Sequence, residues 1–338
     1  MRATFTDTQD ALREAVRDLL SDHAGSARVR SVVLDGDGFD ADLWYLLVDM
    51  GVTDLPGAVE QGIVAEELGR VVAPVPYVEH LVATAAIAAV APDHELLASL
   101  ISGDAVAVYA GGTALLDNGN LHGRLIGVPH AAVATHLVVE AHDRRERVLA
   151  VVDTASTKRE ALPTMDRTRP LAEVVIEGAP ATLVAGAGAA ALGGPVWNVA
   201  ATLYAHDLLG VAQTCLDMGV EHARTRSQFG KLIGTYQAVS HRLVDMYVAL
   251  ECARSHAYHA AWAVSVGEAV APLAAHQAKA AASDAAVLCA QDAIQVHGGI
   301  GFTWEHDLHL YLKRARSGSV LWGTASRHRR EIAGLIGA

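Results

Sequence analysis

The chain has 338 residues, 51% of them hydrophobic and 19% charged, and 38 Asp plus Glu against 26 Lys plus Arg give a net charge of −12. So apolar a chain is no disordered tail, and so acidic a chain without a basic stripe is unsuited to nucleic acid. Three cysteines cannot staple a secreted scaffold, which points to a reducing cytoplasm. The apolar excess is mostly alanine, the best helix former. No stretch of about 20 apolar residues stays free of charge long enough to span a bilayer. The run Leu81–Val90 is too short and is bounded by His80 and Asp93. MRATFTDTQDALREAV has no apolar core of the secretory kind.

In chain order, the first zone reads as helical. Thr6 or Asp7 offers a short side-chain oxygen as N-cap, and Ala11, Leu12, Val16, Leu19 and Leu20 then recur at helical spacing. Further helices are predicted over Asp40–Met50, Val59–Val71 and Val78–Ala91, stopped by Pro74 and Pro76 and by Pro92. From about Ala105 to Val184 the period changes. AVAVYAGG, HLVVEA and RVLAVVD are β-type runs, LHGRLIGVPHA reads as strand, glycine turn, strand, and PLAEVVIEG and TLVA add two more strands. The glycine-rich GAGAAALGG, Gly186–Gly194, lies in no βαβ unit and is read as a linker rather than a dinucleotide loop. Long helices follow over Trp197–Arg226, Tyr236–Val266, Ala271–His297 and from Asp307 to Ile336, the pattern of an antiparallel bundle. The expected fold is α+β, with an N-terminal helical domain (1–103), a middle antiparallel β domain (104–186) and a C-terminal four-helix bundle (187–338).

Two clusters could carry chemistry. RSQFG, Arg226–Gly230, closes a long helix, and QVHGG, Gln295–Gly299, closes another. A guanidinium pairs with phosphate in two places. A phenyl face suits a ring, and glycines without Cβ let a ligand approach the backbone. A helix-end arginine with C-cap glycines gives the same letters without any ligand. His306 and His309 share metal-like spacing with each other, as do His256 and His259, but no third ligand follows. Cys215, Cys252 and Cys289 read as core residues. Arg327–Arg330, preceded by Lys313, Arg314 and Arg316, reads as a solvated basic face.

The order of zones, DRTRP at Asp166–Pro170, RSQFGKLIGTYQAVSHRLVDM and IQVHGGIGFTWEHDLHLYLKRA together resemble the acyl-CoA dehydrogenase family, over essentially the whole chain. The resemblance implies an α–β–α subunit in a dimer of dimers and FAD as cofactor. It also implies oxidation of an acyl-CoA to the α,β-enoyl thioester, with electrons passed to an electron-transfer flavoprotein. In that family FAD straddles two subunits. Arg226, Phe229, Gln237, Gln295, Gly298 and Gly299 match the positions that meet its pyrophosphate and adenosine from the neighbour.

Other family features do not match. The acidic, glycine- and serine-bearing loop that cradles the flavin is replaced by YAGGTALLDN, Tyr109–Asn118, and PGAVEQG stands where a longer glycine-rich loop is usual. The family's catalytic Glu precedes a Gly-Thr pair. Here Trp322 precedes Gly323–Thr324, and the alternative Glu position holds Ala200, followed by Ala201. Neither indole nor methyl accepts a proton. The resemblance therefore implies a non-catalytic subunit, as in the actinobacterial α2β2 enzymes for steroid side-chain thioesters. It would complete an FAD site shared with a homologous catalytic partner. Two other readings stand beside it. One is an active homo-oligomer with a relocated acid such as Glu305, Asp307 or Asp207. The other is a flavin-free scaffold or CoA-thioester-binding protein.

Overall fold

The structure, a computed structural model, describes residues 4–112, 114–143, 146–185 and 193–338. Its chain divides into two compact units. One comprises residues 1–29, 56–73 and 201–338, and the other residues 30–55 and 74–200. Helices α1 (Asp7–His23), α4 (Ala58–Arg70), α8 (Gln237–Ser265), α9 (Ala271–His297), α10 (Leu308–Val320) and α11 (Ala325–Leu335) belong to the first, with most of α7 (Gly193–Thr225). Helices α3 (Ala41–Asp49), α5 (Tyr77–Ala88) and α6 (Leu96–Ile101) belong to the second with the β-sheet, and α2 is Ser26–Leu34. No described helix is long and apolar enough to cross a membrane.

In the first unit, Thr6 caps α1 by a reciprocal box. Its hydroxyl accepts from the Gln9 amide at 3.2 Å, and the Gln9 side chain accepts from the Thr6 amide at 3.0 Å. Glycines bring α4 and α7 close. A Cβ on Gly69 would sit 2.1 Å from the Asp207 carbonyl oxygen, and one on Gly210 would sit 2.0 Å from that of Glu66. Any side chain there would force the helices apart. Beside this crossing the buried Glu66 carboxylate accepts from the Tyr258 hydroxyl at 2.5 Å and pairs with Arg254. Burial alone would raise the Glu66 pKa, but Arg254 and Arg13 outweigh it and hold it below the usual range. The expected last helix is two, because Trp322 and Gly323 both take positive φ (56° and 102°) and break it between α10 and α11. Arg314 is not part of a solvated face: it is buried against Asp207. Cys215 and Cys289 are core residues as expected, whereas Cys252 is exposed.

In the second unit the sheet contains β1 (Ala107–Ala110), β2 (Ala114–Asp117), β3 (Asn120–Pro129), β4 (His136–Asp143), β5 (Glu146–Asp153), β6 (Lys158–Ala161) and β7 (Leu171–Ala185). It is mixed rather than wholly antiparallel, since β1 and β2 both run parallel to β4. The two strands expected in LHGRLIGVPHA are the single β3. Its register slips between Leu125 and Val128, where Gly127 has φ +74°, so the glycine makes a bulge and not a turn. PLAEVVIEG and TLVA likewise form one strand. Gly178 (φ +76°) bends β7, which pairs with β3 over Leu171–Pro180 and with β5 over Ala181–Ala185. Inward-facing Val, Leu, Ile and Ala from these strands make the core, including Val108, Leu121, Leu125, Leu137, Val139, Val152 and Val174. Helix α5 packs on β1, and Arg169 of DRTRP is tied to it by a buried ion pair with Glu79 at 2.9 Å. Of the linker Gly186–Gly194, residues 186–192 lie outside the described residues, and Gly193 and Gly194 open α7.

Candidate functional site

RSQFG and QVHGG, far apart in sequence, meet within the first unit. Helix α7 ends at Thr225, and a two-residue hairpin follows, with β8 (Ser227–Gln228) against β9 (Lys231–Leu232). Its turn residues Phe229 and Gly230 have φ +52° and +81°, the type I′ pattern that favours Asn-Gly. A phenylalanine there is a backbone outlier, at a cost of about 1–2 kcal/mol. Its ring is nonetheless 92% exposed. The hairpin is firmly held, since Ile233 N–H donates to Arg226 O at 2.9 Å and the Tyr236 hydroxyl to Gln228 O at 3.2 Å. The Arg226 side chain is exposed. Gln237, also exposed, opens α8, whose first turn has no side-chain cap.

At the end of α9, Gln295, Gly298 and Gly299 are exposed. Gly298 has φ +64°, and a Cβ on either glycine would meet nothing within 4 Å. Gly301 differs: its Cβ would lie 2.9 Å from Ile294 O. Two histidines join the motifs. His222, one turn before Arg226, stacks on His297, the residue before Gly298, with centroids 4.2 Å apart and planes at 22°. An exposed guanidinium, an exposed ring and two open glycines therefore share one end of the unit. That set suits a dinucleotide, with phosphate on Arg226, a ring on Phe229 and backbone contact at the glycines.

The positions where the family keeps a base have other occupants. Trp322 sits in the turn between α10 and α11. That turn is pinned by Lys279, fully buried in α9, whose ammonium donates to Gly318 O at 2.8 Å, Gly323 O at 3.4 Å and Ser283 Oγ at 3.1 Å. His328 Nε2–H donates to Trp322 O at 3.0 Å, and its Nδ1 faces His276 Nδ1 at 2.8 Å. Burial, then Lys279 and His276, push the His328 pKa down to about 4, which keeps it neutral. Ala200 and Ala201 are fully buried. Asp207, a candidate relocated acid, has both oxygens engaged by the buried Arg314, at 2.7 and 3.3 Å. Asp217 is held by Arg70 and Gln213 at 3.1 and 2.8 Å. Along YAGGTALLDN, apart from residue 113, Tyr109 donates to Glu140, which also pairs with Arg147 at 3.0 Å. Burial and then that carboxylate push the Tyr109 phenol upward. No group of three or more His, Cys, Asp or Glu among the described residues could hold a metal ion.

Lys279, His328 and His222 were not foreseen. Lys279 had a signal: it shares its helix face with Ala275, Ala282 and Ala286, all buried, and a lysine on an alanine stripe must find partners. His222 and His297 had none, because nothing in sequence says which distant helix ends adjoin.

Comparison with known proteins identifies the family. Residues 197–336 match the acyl-CoA dehydrogenase C-terminal domain. The acyl-CoA dehydrogenase IpdE2 of Mycobacterium tuberculosis is 35% identical over 333 residues, covering 94% of each chain. Among solved structures, the ChsE4-ChsE5 complex from Mycobacterium tuberculosis superposes with a TM-score of 0.90 at 26% identity, over 100% of this chain and 99% of that one. A variant of the Tcur3481-Tcur3483 steroid ACAD superposes with a TM-score of 0.89 at 29% identity, over 98% of each chain. The chain belongs to the acyl-CoA dehydrogenase family of oxidoreductases.

Proposed function

We propose that this chain is the non-catalytic subunit of a two-chain, flavin-dependent acyl-CoA dehydrogenase. The carrying observation is the pairing of an open, strained RSQFG turn with two base positions that hold Trp322 and Ala200. Arg226 would hold the FAD pyrophosphate, Phe229 its adenosine side, and Gln237, Gln295, Gly298 and Gly299 the same end. A homologous catalytic subunit would supply the flavin loop and the Glu. Bound there, FAD supplies the oxidant for converting an acyl-CoA to its α,β-enoyl form. This chain's own part is to bind and orient: Arg226 neutralises phosphate charge, and the rigid hairpin fixes the ring contact. Electron-transfer flavoprotein is the acceptor in this reading, the compartment is the cytoplasm, and the domains divide at 1–103, 104–186 and 187–338. Likeness to a steroid ACAD and to the ChsE4-ChsE5 complex supports a paired assembly and a bulky steroid side-chain thioester as substrate.

The test is co-expression. The chain is produced alone and with the homologue encoded beside it, and flavin colour and acyl-CoA dehydrogenase activity are recorded. The reading expects colour and activity in the pair, with FAD lost on Arg226→Ala. Yellow, active protein from this chain alone overturns it, and a colourless complex favours a flavin-free scaffold.

A further inference from the structure

One helical turn before Arg226, whose N–H donates to His222 O at 2.9 Å, begins a group of histidines that the reading above leaves unused. His222 and His297 stack, and His306, in the segment before α10, meets His297 edge-on at 4.5 Å and 62°. Their hydrogen bonds fix some of the protons. His297 Nδ1–H donates to Ala293 O at 2.8 Å, and His306 Nδ1 accepts from Leu308 N–H at 3.2 Å. Two imidazoles stacked nearly face to face do not converge their nitrogens on one ion, so a metal centre does not explain them. Burial is the first influence lowering the His222 pKa, and His297, Arg226 and His306 add to it. All three are cationic when charged, and no carboxylate is among the groups acting on His222. The groups acting on His222 are thus two further imidazoles and one arginine.

We propose that His222, with His297 and His306 around it, is a proton-coupled part of the cofactor site: an anionic pyrophosphate docked at Arg226 binds together with a proton taken up by this cluster. The proposal rests on the reading of Arg226 and Gly298 as the phosphate end. The physics is linkage. In the free protein His222 titrates below its ordinary 6.5. A phosphate charge nearby favours the imidazolium and raises that value. Affinity for FAD therefore strengthens as pH falls through the window between the two values, by about tenfold for each unit separating them. The proton also makes the His222 ring a second cation for the phosphates. His222 acts as a positioning and charge-supplying residue, and takes no part in the redox step.

The experiment uses the FAD-stripped complex of this chain with its homologous partner. FAD affinity is measured by flavin fluorescence from pH 6 to pH 8, for the wild type, His222→Phe and Arg226→Ala. Calorimetry in buffers of different ionisation enthalpy counts the protons taken up on binding. The expected result is binding several-fold tighter at pH 6 than at pH 8, net proton uptake in the wild type, and a flattened profile in His222→Phe, which keeps the stacking surface. Zero proton uptake by the wild type overturns the proposal without recourse to any variant. So does a His222→Phe profile that superimposes on the wild type while Arg226→Ala still loses FAD, and the site reading then stands. Arg226→Ala binding FAD as tightly as the wild type at every pH overturns the site reading itself.

Discussion

Two turns of this protein carry a bulky aromatic residue in the left-handed region, and they treat it in opposite ways. Trp322, at φ +56°, lies in a turn whose flanking carbonyls are bound by Lys279 and His328, both fully buried. Phe229, at φ +52°, lies on an exposed hairpin with its ring in solvent. The first turn offsets its strain with hydrogen bonds inside the chain. The second has a well-bonded backbone, yet its side chain gains nothing from its own fold. Strain persists where something over-determines it, and under the proposed function the ring of Phe229 would find its contact on FAD. The comparison separates a turn secured by buried groups of its own chain from an exposed turn that the proposed function assigns to FAD.

The largest effect expected from breaking the first turn is that of Lys279→Met. Methionine fills similar volume but leaves Gly318 O and Gly323 O without their donor. At about 1–3 kcal/mol for each buried unsatisfied carbonyl, the variant should lose about 4 kcal/mol of stability in urea unfolding. A loss below about 1 kcal/mol would mean that the turn is not held from α9.

Next in size is pH. His328 has a folded pKa of about 4 against an ordinary 6.5, so below pH 6.5 the unfolded chain binds the extra proton. Stability is therefore full above pH 6.5, falls as pH drops, and levels off near pH 4. The total from this one group is about 3 kcal/mol. His328→Gln should cost some stability at pH 7 and flatten that part of the slope. An unchanged slope would transfer the effect to other groups, of which the fully buried His80, also pushed down to about 4, is the first to test.

Much of this was legible beforehand, for identifiable reasons. RSQFG and QVHGG are local strings, so the sequence singled out both segments that the fold brings together, and the two alanine-rich helices between them have a strong period. The strand count in the β zone was misjudged because Gly127 and Gly178 look like turn formers. In the sheet they serve as a bulge and a bend, a distinction set by pairing partners rather than by neighbours in sequence. The break at Trp322–Gly323 was missed because a tryptophan at positive φ contradicts its own propensity, and the carbonyl of the next residue, Gly323, is bound by a lysine 44 residues earlier in another helix. The His222–His297 stack could not be read at all, since it depends on where two helices end in space.

The open turn gives the third prediction, of the opposite sign. Phe229→Gly removes a side chain that makes no burial gain and relieves a left-handed backbone, so the isolated chain should become more stable, by about 1 kcal/mol. In the complex with the partner subunit the same change should weaken FAD retention. A residue whose removal helps the fold and harms binding is held for binding. If Phe229→Gly destabilises the isolated chain, the ring packs within this chain and the contrast with Trp322 fails.

The smallest effect is the most discriminating. Gly299 and Gly301 are two residues apart. A Cβ on Gly299 enters open space, while one on Gly301 would press to 2.9 Å from Ile294 O and 3.1 Å from the His297 Cβ. Gly299→Ala should leave the melting of the isolated chain within about 0.5 kcal/mol of wild type, and Gly301→Ala should lower it measurably by overpacking. If the space above Gly299 belongs to a cofactor, Gly299→Ala nonetheless weakens FAD binding several-fold in the complex, because the added methyl lies where the ligand comes closest to the backbone. Gly299→Ala that is silent in both measurements would move the ligand away from QVHGG and leave the site to Arg226 and Phe229 alone.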